Sequence, residues 1–330
     1  MITLVQSTRD YFSHCEVEKG LSKLTIKAYR QDLSQFMKFV GCEALITQVD
    51  KYLIRKFIED LIANHLKEST IIRKLASIKA YFSYLEYEEM ITVSPVHKLG
   101  IRFRPKVQIP EIMNLREIDK ILSLPRKKLG ESLHCSWKEI DYKNIKTQTQ
   151  ADIFQHLVVL ELLFATGMRV SEVSNIDLID IDLVKNVVLI KGKGSRERIG
   201  ALTNSELIEL LKSYVDFRRS RETSNTSFFL NRQRKRLSSQ SIRIITKKYV
   251  TNSLIKKHVT PHTFRHTIAT LLIENGIDIR VVQSFLGHSS ITTTQRYTHV
   301  STHIQRKLLS SRHPRNSLSF NKRQKTEGIE

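Results

Sequence analysis

Apolar residues recur at helical spacing through most of this chain, and the places where that period fails divide it. From Ser22 the run Leu24, Ile26, Tyr29, Leu33, Phe36, Met37 and Val40 predicts a helix that Gly41 stops. Asp50 can cap a second, with Leu53, Ile54, Phe57, Leu61 and Ile62 on one face. Ser69 starts a third, with Ile72, Leu75, Ile78, Tyr81, Phe82 and Leu85 inward and Arg73, Lys74 and Lys79 outward. These helices predict a compact unit over residues 1–104. Val93-Ser94-Pro95 breaks the period, and 98–110, with Arg102, Arg104, Pro105, Lys106 and Pro110, reads as an extended basic linker.

A second unit is expected over 105–311, beginning with that linker. A short helix over 115–122 is predicted to end at Pro125. Residues 126–150 are polar and aperiodic, so they read as a surface insertion, with Trp137 as its anchor. The stretch 152–166 is apolar all round and must be a central buried helix, ended by Gly167, with Arg169, Ser171 and Glu172 just beyond it. The period then switches to two: 187–190 and 198–202 predict a hairpin turning through Lys191-Gly192-Lys193-Gly194-Ser195. A helix over 204–217, a short strand over 227–230, a basic turn at 232–236 and a helix over 239–250 follow. Thr260-Pro261 opens a helix that Gly276 stops, and Asp278 caps another that ends at Gly287. A last helix is expected near 304–310, then a basic tail, 312–330, whose composition predicts disorder. The pattern as a whole predicts a mainly α protein of two domains with a small antiparallel β-sheet in the second.

Charge narrows the class. In 330 residues, 54 Lys and Arg against 33 Asp and Glu leave a net charge of +21, more than solubility needs, which points to a polyanion. The excess is concentrated: residues 191–260 hold 17 basic and 5 acidic side chains. Arg73, Lys74, Lys79, Arg102, Arg104, Arg196, Arg234, Lys235 and Arg236 are the expected phosphate contacts. No apolar run approaches the roughly 20 residues that span a bilayer, and the first residues carry no secretory signal core. Three distant cysteines, Cys15, Cys42 and Cys135, form neither a disulfide framework nor a zinc site. A reducing cytoplasm is the expected setting, with no membrane partner.

The candidate chemistry lies in the second unit. An arginine pinned behind a buried helix (Arg169), a lysine in a glycine turn (Lys193), and His262, Arg265 and His266 on one helix face precede His288 and Tyr297. Each has an ordinary explanation alone: Tyr297 as a half-buried structural phenol, Lys193 as an exposed turn residue. Together they suit metal-free attack of an oxygen nucleophile on a phosphodiester, whose spread negative charge guanidiniums and an imidazole can clamp. No carboxylate pair at metal-ligand spacing accompanies them, and no cofactor is expected.

At these residues the chain resembles the tyrosine recombinases, nearest the Xer-like and simple phage- or transposon-integrase branch. The matching strings are Ala165-Thr166-Gly167-Met168-Arg169-Val170-Ser171-Glu172, Gly192-Lys193-Gly194-Ser195-Arg196-Glu197-Arg198, His262-Thr263-Phe264-Arg265-His266, and Leu286-Gly287-His288 through Tyr297-Thr298-His299-Val300. The resemblance also takes in the helical first unit, roughly residues 1–300 in all. It implies Tyr297 as the nucleophile that forms a 3′-phosphotyrosyl link, Arg169, Arg265 and His288 as the phosphate clamp, and Lys193 as the acid for the leaving 5′-oxygen. It implies His262 as the tyrosine's acid/base partner, with Glu172 and His266 in support. It further implies a C-shaped clamp of two domains on duplex DNA, and four protomers on paired sites, identical or shared with a paralogue, with the last helix docking on a neighbour. The resemblance also leads to the expectation of a short two-site substrate without an arm-binding domain ahead of the helical unit. The insertion at 126–150 and the tail depart from the family's simplest members. A type IB topoisomerase shares the chemistry, and a non-catalytic DNA-binding accessory protein could share the scaffold.

Overall fold

The computed structural model describes residues 2–97, 99–100, 111–136, 138–192, 197–221, 224–287 and 308–318. Packing divides the chain into two units, Met1–Gln108 and Ile109–Glu330. Both are built of helices, and the second adds one small antiparallel sheet.

Among its described residues the first unit holds four α-helices, one more than predicted. The extra helix, α1 (Leu4–Val17), buries Leu4, Tyr11, Phe12 and Cys15 among Ser7, Thr8 and His14, so its inward face carries no clean apolar stripe. Ser7 is buried because its hydroxyl meets the Tyr81 hydroxyl at 2.5 Å. The three predicted helices are α2 (Lys23–Val40), α3 (Lys51–Ala63) and α4 (Glu68–Tyr87). Asp50 caps α3 by accepting from the Leu53 amide at 2.8 Å. Phe36 of α2 meets Phe57 of α3 edge-on at 5.2 Å in the core.

The outward basic face expected of α4 needs correction. Asp32 of α2 is fully buried and accepts from Ser77 at 2.7 Å, from Lys74 at 3.2 Å and from Arg73. A buried carboxylate must find partners, and it takes them from α4. Lys74 is therefore a buried structural cation and Arg73 a half-exposed one; Lys79 alone of the three projects freely into solvent.

In the second unit α5 (Leu115–Ser132) does not stop at Pro125 but runs through it. Arg126 is buried, donating to the Leu122 carbonyl at 3.0 Å and to Glu161 at 2.5 Å. The stretch 126–150 is thus no surface insertion as a whole. Its first residues are helix, and its last belong to α6 (Gln148–Thr166), which Thr147 caps. Between them Tyr142 stacks on Phe154 with ring centroids 4.6 Å apart. Trp137 lies outside the described residues.

Helix α6 is the axis of the unit, buried on all sides from Leu157 to Thr166. Around it stand α7 (Val170–Ser174), α8 (Ser205–Arg219), α9 (Ser239–Asn252), α10 (Pro261–Glu274) and α11 (Ile279–Leu286). The strands β1 (Ile181–Asp182), β2 (Val187–Lys191) and β3 (Glu197–Ala201) pair antiparallel in that order, with Leu189 opposite Ile199. The strand expected at 227–230 is only a pair of isolated bridges, Asp177 with Ser227 and Leu230 with Arg236.

The start of the tail is the largest correction; residues 319–330 lie outside the described residues. Residues 308–312 are helical and Pro314–Ser317 forms a 3-10 turn. Leu309 joins the unit's own core. Arg315, expected in a disordered segment, is completely buried, bonding Glu161 at 2.7 Å and Glu206 at 3.3 Å. Among the described residues no helix is long and apolar enough to cross a membrane.

Candidate active site

The site is built where α6, α7, α10 and α11 end or begin together. Gly167 closes α6 in the left-handed region, φ 57°. A Cβ there would lie 2.5 Å from Leu286 and 3.0 Å from Ile268, so both the turn and the approach of α10 and α11 require glycine. The chain then turns into Arg169, whose amide donates to Glu172 Oε2 at 2.9 Å. Its guanidinium bonds Glu172 Oε1 at 2.8 Å and the Gly287 carbonyl at 3.3 Å. About a third of the Arg169 side chain, 37%, stays exposed, enough to meet a ligand.

Arg265 arrives from the first turns of α10, started by the Thr260 cap and Pro261. It is buried, donating to the Gly167 carbonyl at 2.7 Å and to the Leu286 carbonyl at 2.6 Å. Burial, then the charges of Arg169 and Arg198, push its pKa down to about 10, which leaves it protonated at neutral pH. Two of its five N–H groups are thereby committed to backbone.

Glu172 is the counter-charge. Its burial opposes ionisation, yet bonds from Arg198 and Arg169 hold its carboxyl below the ordinary range. Arg198 was no candidate in the sequence, although it stands in one of the matching strings. It donates to Glu172 Oε2 at 2.9 Å and to the Phe285 carbonyl at 3.2 Å. The available signal was its inward phase in β3, the same as that of buried Gly200.

His262 and His266 are exposed, one turn apart on α10, while Arg265 between them is buried. Partial burial, then the positive surroundings of His266, Arg243, Arg265 and Arg169, lower the pKa of His262. Its imidazole is therefore neutral at pH 7, able to accept a proton. Lys193, Arg196, His288, Tyr297, Arg102 and Arg104 lie outside the described residues.

The other expected phosphate contacts divide. Lys235 and Arg234 are exposed in the basic turn. Arg236 instead bonds Asp177 at 2.7 Å and the Ser174 and Ile176 carbonyls, tying the turn to the end of α7. Among the described residues no group of three or more His, Cys, Asp or Glu could hold a metal ion.

Comparison with known proteins places the chain among its relatives. Residues 138–303 match the phage integrase family, and residues 9–89 match the phage integrase N-terminal SAM-like domain. A tyrosine recombinase of Agathobacter rectalis is 38% identical over 94% of this chain and 97% of its own. The tyrosine recombinase XerD of Staphylococcus epidermidis is 33% identical over 93% and 98%. In fold, the chain is similar to the XerH site-specific recombinase bound to a palindromic difH substrate (TM-score 0.66, 22% identity, 90% of this chain and 82% of that one). It is likewise similar to a lambda integrase dimer bound to a COC′ core site (TM-score 0.64, 16% identity, 88% and 96%). Half the chain matching one family, and relatives above 30% identity along nearly its whole length, place this protein in the phage integrase family of tyrosine recombinases.

Proposed function

We infer that the protein is a site-specific recombinase that cuts and rejoins duplex DNA through a 3′-phosphotyrosyl intermediate. One observation carries the reading: Arg169, Arg198 and Arg265 gather around a single carboxylate, Glu172, and Arg169 remains accessible. A site with surplus positive charge, rigidly held and partly open, suits a phosphodiester whose negative charge grows in the transition state.

The proposed step is a transesterification. The Tyr297 oxygen attacks the scissile phosphorus, the P–O5′ bond breaks, and the DNA 3′ end is left on the phenol. His262, neutral in this setting, takes the phenolic proton. Lys193 protonates the leaving 5′-oxygen. Arg169, Arg265 and His288 hold the non-bridging oxygens; Glu172 keeps Arg169 in place, and His266 supports His262. A 5′-hydroxyl from a partner strand then attacks the phosphotyrosine and frees Tyr297. The bond energy is conserved throughout, so the chemistry calls for neither ATP nor metal. Duplex DNA with paired sites is the proposed substrate, and four protomers, this chain alone or with a paralogue, the proposed assembly. Lys79, Arg234 and Lys235 remain candidate phosphate contacts, together with Arg102, Arg104 and Arg196. Arg73, Lys74 and Arg236, each paired with an aspartate, are withdrawn from that role. Such a protein works on the chromosome in the cytoplasm.

The test mixes protein with nicked duplexes carrying candidate sites, in EDTA and without ATP, and looks for a denaturant-resistant protein–DNA adduct. The adduct is expected with wild type and absent with Tyr297→Phe, while binding is kept. Site-indifferent adducts with relaxation of supercoils would mean a topoisomerase instead. Tight, salt-sensitive binding with no adduct on any site would mean an accessory DNA-binding protein.

A further inference from the structure

Arg198 is placed where three parts of the site meet. It leaves β3 opposite Ile190 in the ladder, five residues after Lys193 in the sequence. Its Nη2 donates to Glu172 Oε2 at 2.9 Å, the oxygen that also accepts the Arg169 amide at 2.9 Å. Its Nε donates to the Phe285 carbonyl at 3.2 Å. Its stem lies against Gly287, φ 67°, so closely that a Cβ there would come within 2.9 Å of Arg198 Cδ. Gly287 in turn offers its carbonyl to Arg169 at 3.3 Å and immediately precedes His288 in the chain.

We propose that Arg198 is a positioning residue of the active site, acting through Glu172 and the Phe285–Gly287 backbone to fix Arg169 and the start of the segment that leads to His288 and Tyr297. The proposal rests on the recombinase reading. Arg169 engages both oxygens of Glu172, Oε1 through its guanidinium and Oε2 through its amide, but both bonds lie within one stretch of four residues and do not tie the pair to the rest of the site. Arg198 adds a charge-assisted bond to Oε2 from a different element, β3, and so anchors the Arg169–Glu172 pair from outside. The second prong of the Arg198 guanidinium carries the same constraint to the end of α11. A single planar fork thus registers the arginine after α6 against the chain leaving α11. A lysine could supply the charge without the fork.

The test separates binding from chemistry. Wild type, Arg198→Met, Arg198→Lys, Glu172→Gln and the Arg198→Met/Glu172→Gln pair are compared on nicked duplex by single-turnover cleavage, alongside DNA affinity. Misplacement of the clamp predicts a cleavage rate about a hundredfold lower for Arg198→Met with affinity kept. Arg198→Lys should regain about tenfold of that loss. The pair should be no slower than the slower single variant, because both residues act through one contact. Unchanged cleavage by Arg198→Met, or losses that multiply in the pair, would overturn the proposal. Amide hydrogen exchange over 283–287 is followed in the DNA-free proteins as an arm independent of turnover. Faster exchange there in Arg198→Met, with the α6 core unchanged, is expected, and unchanged protection would overturn the positioning role. A wild type that forms no adduct would sink the recombinase reading instead, and the exchange arm would still decide the role of Arg198.

Discussion

Two carboxylates of one packed unit, Glu161 in α6 and Glu172 in α7, are each held by arginines, and they do different work. Glu161 is fully buried in the middle of α6 between Arg126 and Arg315, with Glu206 reaching the same guanidinium. Two positive charges meet two negative ones, and little of any of the four reaches solvent. Glu172 sits among Arg169, Arg198 and Arg265, three positive charges to one negative, and Arg169 opens to solvent. The chemistry of the groups is the same; the balance and the exposure differ. A sealed, neutral network fastens the chain end to the core, whereas an open network with surplus charge waits for an anion.

That contrast can be broken from either side. The largest effect is expected at the open network. Arg265→Ala should lower single-turnover cleavage by about a thousandfold, roughly 4 kcal/mol, with far less change in DNA affinity. Equal losses in both would mean that Arg265 only holds the fold. Next comes the sealed network. Glu161→Gln should destabilise the protein by about 3 kcal/mol, read from urea unfolding, because it leaves two buried guanidiniums short of charge. The folded fraction should still bind DNA. A neutral effect would show that solvent reaches this network after all.

The smallest effect is a pH dependence that sharpens the difference. His313, beside the sealed network, donates from Nε2 to the Ala165 carbonyl at 2.9 Å and accepts the Arg315 amide on Nδ1 at 3.0 Å. Burial, and then its charged neighbour Arg315, depress its pKa to about 4, and half-buried His156 is depressed to about 4 as well. The unfolded chain binds these protons near pH 6.5, the folded one only near 4. Stability should therefore fall as pH drops through that window, by on the order of 1 kcal/mol per unit for each group. Thermal unfolding between pH 7 and 4 reads it, and His313→Gln should flatten the slope. A slope unchanged by that substitution would exclude His313 as its source.

Much of this was legible in the sequence, for reasons that are local. Helices α2, α3, α10 and α11 announce themselves through caps and period, and Gly167 and Gly287 through the stops they impose. The pair Arg169 and Glu172 is four residues of contiguous chain. What escaped depends on distance along the chain. Lys74 looks solvated until Asp32, 42 residues away, buries it. Arg315 looks like part of a charged tail until Glu161, 154 residues away, claims it. Pro125 reads as a stop because nothing nearby reveals that Arg126 will be drawn inward. Helix α1 escaped because hydroxyls rather than methyl groups complete its buried face.

The partners of Arg265 carry one consequence more. Among the described residues its guanidinium bonds no carboxylate; it lies between the Gly167 and Leu286 carbonyls, the C-terminal ends of α6 and α11. Aligned peptide dipoles leave about half a negative charge at each such end. The cation is thus kept charged in a buried place by fractional charges of the backbone, which no side-chain substitution can remove. These partners are neutral carbonyls rather than a carboxylate, so its full unit of charge is offered to an arriving anion.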